Sequence, residues 1–370
     1  MHRRRVRLPP LPTIREVIRV YQLTAKKQLS QNFLLDMNLC RKLIRKQGQI
    51  RSGMVCEVGP GPGGLTRALL EENISRLDVV EKDSRFLPGL EMLAEASEGR
   101  MRIVQGDVLD FDFERLWPRQ AVSHDWFDRP PDVHVVGNLP FNIASPLLVK
   151  WVRQASERSG PFVYGRTPLT LCFQKEVAQR IVAPTNGRHR CRLSIVVQAY
   201  LDAQLLFTIP GSSFVPAPEV DVSVVRLVPL EEPLIPLPFP LVQKLCRHLF
   251  HYRQKFSRRS LATLFPAEQQ DELTDEIFRR CRVNPRLTCY QLGINEIRDM
   301  CFVYEQQCRR VPGLFLYDYR DKRRQCLEQL AGMEGAVPER YPFALDMGDD
   351  GLSLDEFSRA IDSGYRATPS

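Results

Sequence analysis

Apolar residues fall in short runs set between polar turns, and strand-length runs alternate with helix-length ones. Met54–Val58 is a compact apolar run that reads as a buried strand. It leads straight into Gly59-Pro60-Gly61-Pro62-Gly63-Gly64, after which residues 65–70 begin a helix. Residues 77–80, ending at Glu81, and residues 103–105, ending in Gly106-Asp107-Val108, read as two more buried strands. Val133–Gly137 is another, and it is followed by Asn138-Leu139-Pro140-Phe141-Asn142-Ile143. A helix is expected near Met37–Lys46, after a polar loop over residues 26–36. Residues 193–200, 204–209 and 222–228 read as the last strands of the same sheet. This alternation predicts an α/β fold built on a Rossmann-like sheet.

Beyond the sheet the pattern changes. Residues 229–240 are rich in Pro and Leu and read as a linker. Residues 241–265 carry helical periodicity and a run of cations: Lys244, Arg247, Arg253, Lys255, Arg258 and Arg259. With Tyr252 and Phe256 interleaved, that run reads as a solvated helix face or as a surface for the phosphates of a nucleic acid. His248 and His251 are assigned to the same basic face. Residues 282–304 are expected to add small helices. In residues 331–370 acids outnumber the arginines, which suggests a weakly structured acidic tail. The expected organisation is an arm over 1–24, a catalytic domain over 25–229, a helical RNA-binding domain over 230–330 and the tail.

Composition narrows the setting. A net charge of +8 and a pI of about 9.0 favour a polyanionic partner or an organelle interior. The ten cysteines are scattered and form no Cys-x-x-Cys pair, which argues for free thiols in a reducing compartment and against a structural metal. No apolar run is long enough to span a membrane. Arg3, Arg4, Arg5, Arg7 and Arg15 all precede the first acid, Glu16. Such a leader fits a mitochondrial targeting segment, with a nucleic-acid-binding arm as its rival.

The motifs between the elements carry the chemistry. Strand, glycine turn and helix together let a backbone approach a nucleotide-like ligand. Gly59, Gly61 and Gly64 also match a dinucleotide pattern, so a nicotinamide enzyme is an alternative at this point. Glu57 stands where an acid can face a cationic group such as a sulfonium. The Glu81 carboxylate can take both hydroxyls of a ribose, Asp107 can accept from an adenine amine, and Val108 can line the ring. The Asn138 amide oxygen and the Leu139 carbonyl can accept hydrogen bonds from an aryl amine. Pro140 rigidifies that turn, and Phe141 offers a face for a flipped base. His134 lies within a strand and reads as structural.

Taken together, these stretches resemble the rRNA adenine dimethyltransferase family. The matching segments are Gln31-Asn32-Phe33-Leu34, Glu57 to Gly63, Glu81-Lys82-Asp83, Gly106-Asp107-Val108 and Asn138 to Ile143. Further matches are Gln174-Lys175-Glu176-Val177-Ala178, Arg192-Leu193-Ser194 and Phe214-Val215-Pro216-x-Pro218-x-Val220-Asp221. They occur in the family's order over about residues 25–265. The stretches over 8–16, 117–131 and 160–167 look closest to its mitochondrial branch.

The resemblance implies a class I S-adenosylmethionine-dependent methyltransferase sheet with a small C-terminal helical domain. Gln31, Asn32, Phe33, Leu34, Glu57, Gly59, Gly61, Gly63, Glu81, Lys82, Asp107, Val108 and Asn138 would hold the cofactor. Asn138, Leu139, Pro140 and Phe141 would be catalytic. Phe141 and Phe214 would sandwich the base, and Arg253, Lys255, Arg258 and Arg259 would hold the RNA. The implied substrate is two adjacent adenosines in a hairpin near the 3′ end of mitochondrial small-subunit rRNA, methylated at N6 in the matrix during small-subunit assembly. A non-catalytic mitochondrial transcription or ribosome-assembly factor on the same fold is the alternative, with the transcription machinery as a further partner, and a monomer is expected.

Overall fold

In the computed structural model the aliphatic runs become strands of one sheet, and the structure describes residues 8–23, 31–48, 50, 53–324 and 326–340. The arginines at positions 3–7 and most of the acidic tail lie outside the described residues. By internal contacts the chain divides into two units, residues 1–182 with 200–231, and residues 183–199 with 232–370.

The strands of the first unit are β1 (Phe33–Leu34), β2 (Met54–Val58), β3 (Arg76–Glu81), β4 (Met101–Gln105), β5 (Val133–Gly137), β6 (Leu169–Gln174), β7 (Leu201–Ile209), β8 (Phe214–Val215) and β9 (Val222–Pro229). Seven of them form one sheet in the order β4-β3-β2-β5-β6-β9-β7. From β4 through β6 the neighbours run parallel, while β9 and β7 are antiparallel additions at one edge. Parallel strands covered on both faces need continuous apolar runs, and every residue of β5 is buried. The helices of this unit are α1 (Ile14–Val20), α2 (Met37–Lys46), α3 (Gly64–Leu70), α4 (Leu87–Ala96), α5 (Arg119–Val122), α6 (Phe141–Ser156) and α7 (Lys175–Ile181).

Connectivity fixes where a ligand can bind. The chain lays β3 and then β4 outward from one side of β2, and returns to place β5 on the other side. Val58 and Gly137 are register partners, so the carboxyl ends of β2 and β5 open side by side at the topological switch point. The strands are tight there. A Cβ on Gly137 would come within 2.6 Å of Val58 Cγ2 and 2.9 Å of the Val58 carbonyl oxygen. Gly137→Ala is therefore expected to destabilise the protein by about 1–3 kcal/mol, read as a fall in Tm, because backbone has to move.

The second unit holds α8 (Arg192–Gln198), α9 (Phe239–Leu249), α10 (Ser257–Leu261), α11 (Gln270–Arg280), α12 (Ile294–Arg310) and α13 (Leu327–Ala331). Here the sequence reading needs correction. Residues 193–200, expected as a strand, form α8. Its run from Ser194 to Val197 is buried throughout, which erases the periodicity that separates helix from strand. The Ser194 hydroxyl accepts from the Cys191 N–H at 3.0 Å and caps the helix start. The helical stretch expected over 241–265 breaks after α9 into a turn. Within 282–304, in place of small helices alone, the 17-residue α12 begins.

Two expected members of the basic face are interior groups instead. Lys244 Nζ donates to the carbonyls of Leu314, Phe315 and Tyr317 at 3.2, 2.5 and 2.7 Å, and burial lowers its pKa to about 8. His248 is buried, with Nδ1 2.8 Å from the Thr263 hydroxyl, and burial brings its pKa down to about 3. It is neutral at physiological pH. Among the described residues, no helix is long and apolar enough to cross a membrane.

Candidate active site

The turn after β2 lies close against the strands that flank it. Gly59 and Gly61 take φ of +66° and +54°, a region costly for side chains with a Cβ, and Leu139 Cδ2 stands 3.0 Å from where a Gly59 Cβ would be. The Gly61 N–H donates to Glu81 Oε2 at 3.0 Å, and the Asp83 N–H donates to Oε1 at 2.7 Å. Glu81 is thus oriented by backbone on both oxygens, with lone pairs left over. Glu81 is 6% exposed, and burial raises its pKa against the pull of those N–H groups.

Glu57, the penultimate residue of β2, is 1% exposed, and its Oε2 is buried without a hydrogen-bond partner. Burial pushes its pKa up to about 8; Thr66 opposes the shift and the nearby Glu81 adds to it. A buried carboxyl with an unmatched oxygen is costly unless a cationic or donating ligand completes it.

Ten of the sequence-predicted residues line one open cleft: Gln31, Asn32, Phe33, Leu34, Glu57, Gly59, Gly61, Glu81, Asn138 and Pro140. Phe86 also lines it and escaped the sequence reading; its ring meets Phe33 edge-on at 5.5 Å. Phe33 also pairs with Val215 in the β1–β8 ladder, a long-range pairing that local sequence does not signal. Gly63, Lys82, Asp107, Val108, Leu139 and Phe141 do not line the cleft itself. Lys82 Nζ donates to Asp107 Oδ2 at 2.7 Å and the Leu109 N–H to Oδ1 at 2.9 Å, so both Asp107 oxygens are already bonded.

At the end of β5, Asn138 Nδ2 donates to the Asn32 carbonyl at 3.1 Å. That bond fixes the carboxamide and leaves Oδ1 as its accepting edge. Pro140 then caps α6, its carbonyl accepting from the Ile143 and Ala144 N–H groups at 3.1 Å, and Phe141 is the first helical residue, half-buried. Phe214 departs from expectation. Paired with Leu34 in the β1–β8 ladder, it is 1% exposed and packs in the core, so its ring is not open to a base. Its neighbour Val215, cross-strand partner of Phe33, is the exposed one at 48%.

The model of the family described as ribosomal RNA adenine dimethylase matches residues 22–289. The chain belongs to this family. It is 49% identical over 319 residues to the mitochondrial dimethyladenosine transferase 1 of Bos taurus, spanning 86% of this chain and 93% of that protein. Against the mitochondrial dimethyladenosine transferase 1 of Caenorhabditis elegans identity is 47% over 361 residues, spanning 95% of this chain and 98% of the relative. A crystal structure of a dimethyladenosine transferase from Plasmodium falciparum superposes with a TM-score of 0.57 at 21% identity, over 74% of this chain and 97% of that one, a likeness in fold. As a ribosomal RNA adenine dimethylase, the chain is an enzyme, an rRNA adenine dimethyltransferase on a class I methyltransferase sheet.

The cations expected to hold RNA in this dimethylase differ in availability. Arg258 is committed to Asp275 and Asp271 at 2.6 and 2.9 Å, and Arg253 donates to the Arg190 carbonyl at 3.2 Å and to the Arg188 carbonyl. Both are engaged by partners within the second unit. Lys255 and Arg259 are exposed.

Proposed function

We propose that this dimethylase uses S-adenosylmethionine to methylate N6 of two adjacent adenosines, each twice. The substrate would be a hairpin loop near the 3′ end of mitochondrial small-subunit rRNA, modified in the matrix as the subunit assembles. The observation that supports the reaction is Asn138, its amide nitrogen held by the Asn32 carbonyl, lining the same cleft as Glu57 and Glu81. The names of the mitochondrial relatives support the compartment.

S-adenosylmethionine supplies an electrophilic methyl group on a sulfonium. The residues present fit it: Glu57 has an unmatched buried oxygen for its cationic end, and the backbone-held Glu81 retains lone pairs for ribose hydroxyls. Gln31, Asn32, Phe33 and Leu34 would cover it. Asp107 and Val108, outside the cleft wall, would act toward the adenine; each Asp107 oxygen carries one bond, from Lys82 or the Leu109 N–H, and keeps a lone pair.

An adenine amine is a weak nucleophile because its lone pair is delocalised into the ring. Hydrogen bonds from that amine to Asn138 Oδ1 and the Leu139 carbonyl favour a pyramidal nitrogen with a usable lone pair. Phe141 offers its ring to the base. Positioning of this kind can remove about 7–11 kcal/mol of barrier. No strong base is required, since the nitrogen becomes acidic once alkylated. His134 is not one; burial in β5 lowers its pKa to about 4.

The test is methylation of a small-subunit rRNA hairpin in vitro, with the adenosines read by mass spectrometry. Dimethylation of two adjacent loop adenosines is the expected result. Binding of hairpin and S-adenosylmethionine without methylation would overturn the catalytic reading, and protection by NAD in place of S-adenosylmethionine in a thermal melt would overturn the cofactor.

A further inference from the structure

The second unit carries an exposed cluster of rings laced with cations. The His251 ring centroid lies 4.2 Å from that of Tyr252 and 6.0 Å from that of Tyr319. Arg320 lies over the Tyr319 ring at 5.2 Å, and its guanidinium reaches His251 Nδ1 at 2.8 Å. Arg259 lies over the Tyr252 ring at 5.7 Å. The Lys255 N–H donates to the Tyr252 carbonyl at 2.8 Å, a tight turn directly followed in the chain by Phe256. Tyr252 is 39% exposed and Phe256 is 57% exposed.

Two features distinguish this cluster from an ordinary solvated turn. One is charge. The neighbouring acids are already engaged: Asp318 with Arg247 at 2.9 Å, Asp321 with Arg324 at 3.7 Å, and Asp271 and Asp275 with Arg258. No described acid pairs with Lys255, Arg259, Arg320, Lys322 or Arg323 across a salt bridge, so the rings stand in a positive field. The other is the rings themselves. Burial and then Arg320 lower the His251 pKa, which keeps it a neutral aromatic surface at physiological pH. An acidic peptide would answer the charge and waste the rings. Unpaired nucleotides answer both, with phosphates on the cations and bases on the ring faces.

We propose that His251, Tyr252 and Phe256, with Tyr319 and Arg320, form a stacking platform for unpaired nucleotides of the RNA substrate. The proposal rests on the rRNA reading above only for which strand is held. It adds base stacking to a surface that the sequence read as phosphate contact alone.

Fluorescence anisotropy of the full chain, with a short oligouridylate and with an abasic strand of equal length, tests this. The wild type should bind the oligouridylate more tightly than the abasic strand. The double variant Tyr252→Leu/Phe256→Leu should weaken oligouridylate binding about tenfold and leave the abasic strand unchanged. Equal affinity of the wild type for both strands, or undiminished oligouridylate binding by the double variant, would overturn the platform. So would equally tight binding of polyglutamate. In case the double variant unfolds, quenching of a 2-aminopurine-containing strand on the wild type gives a second reading: quenching supports stacking, and its absence rules stacking out. Base-dependent binding by a protein that methylates no hairpin would support the platform while overturning the proposed reaction, so the two can fail separately.

Discussion

Asn138→Ala is expected to lower single-turnover methylation of the rRNA hairpin by about 10²–10³-fold, the usual cost of removing one preorganised polar contact to a reacting group. S-adenosylmethionine affinity, measured by calorimetry, should fall far less than turnover, because the lost oxygen is assigned to the amine of the substrate and only the tie to the Asn32 carbonyl concerns the cofactor. The Asn138 amide nitrogen is held by the Asn32 carbonyl at 3.1 Å, so the geometry makes a second, sharper forecast. Asn138→Asp keeps an acceptor but faces its carboxylate toward that carbonyl oxygen, and like partial charges repel. It should therefore lose turnover as well, through misplacement of the side chain. A loss confined to KM in both variants would mean that Asn138 only binds. Unchanged turnover in Asn138→Ala would remove its assigned role.

Much of this cleft is legible in the sequence, for physical reasons that apply to some residues and not to others. Glu57, Gly59, Gly61, Glu81 and Asn138 each sit at or just past the end of a short apolar run. In a parallel sheet such positions converge on one edge, so strand order alone assembles them. Phe86 was missed because it follows a strand end by several residues, within a one-turn helix whose start is capped by Asp83. Phe214 was misread for the opposite reason. A Phe in a Pro-rich turn reads as a loop residue, yet long-range pairing with Leu34 draws it into the core and turns Val215 outward. The same limit explains α8. A run of Ile195, Val196 and Val197 buried on every side has no polar face from which a period could be read. In the second unit, charge was read as surface, but Lys244, Arg253 and Arg258 spend their donors on carbonyls and carboxylates of their own unit. Sequence counts cations without showing which have partners.

The Glu57 carboxyl supports the other large expected effect, which concerns pH. With a folded pKa near 8, it is mostly protonated at pH 7 in the free enzyme. A cationic ligand group prefers the carboxylate, so binding must expel that proton. S-adenosylmethionine affinity should therefore rise by nearly tenfold per pH unit as pH approaches 8, then level off, and close to one proton should be released per ligand bound at pH 7. Calorimetry in buffers of different ionisation enthalpy measures that proton directly. Glu57→Gln should flatten the profile and abolish the release, with weaker binding at pH 8. The free enzyme carries the opposite dependence. A carboxyl whose folded pKa is raised contributes stability that is fully present below its unfolded value near 4.5 and is lost as pH rises through about 8. The Tm of the ligand-free wild type should accordingly fall between pH 5 and pH 8 by more than that of Glu57→Gln, and saturating S-adenosylmethionine should recover most of the difference. Proton release that persists undiminished in Glu57→Gln would assign the coupling to Glu81, the other buried acid of the cleft.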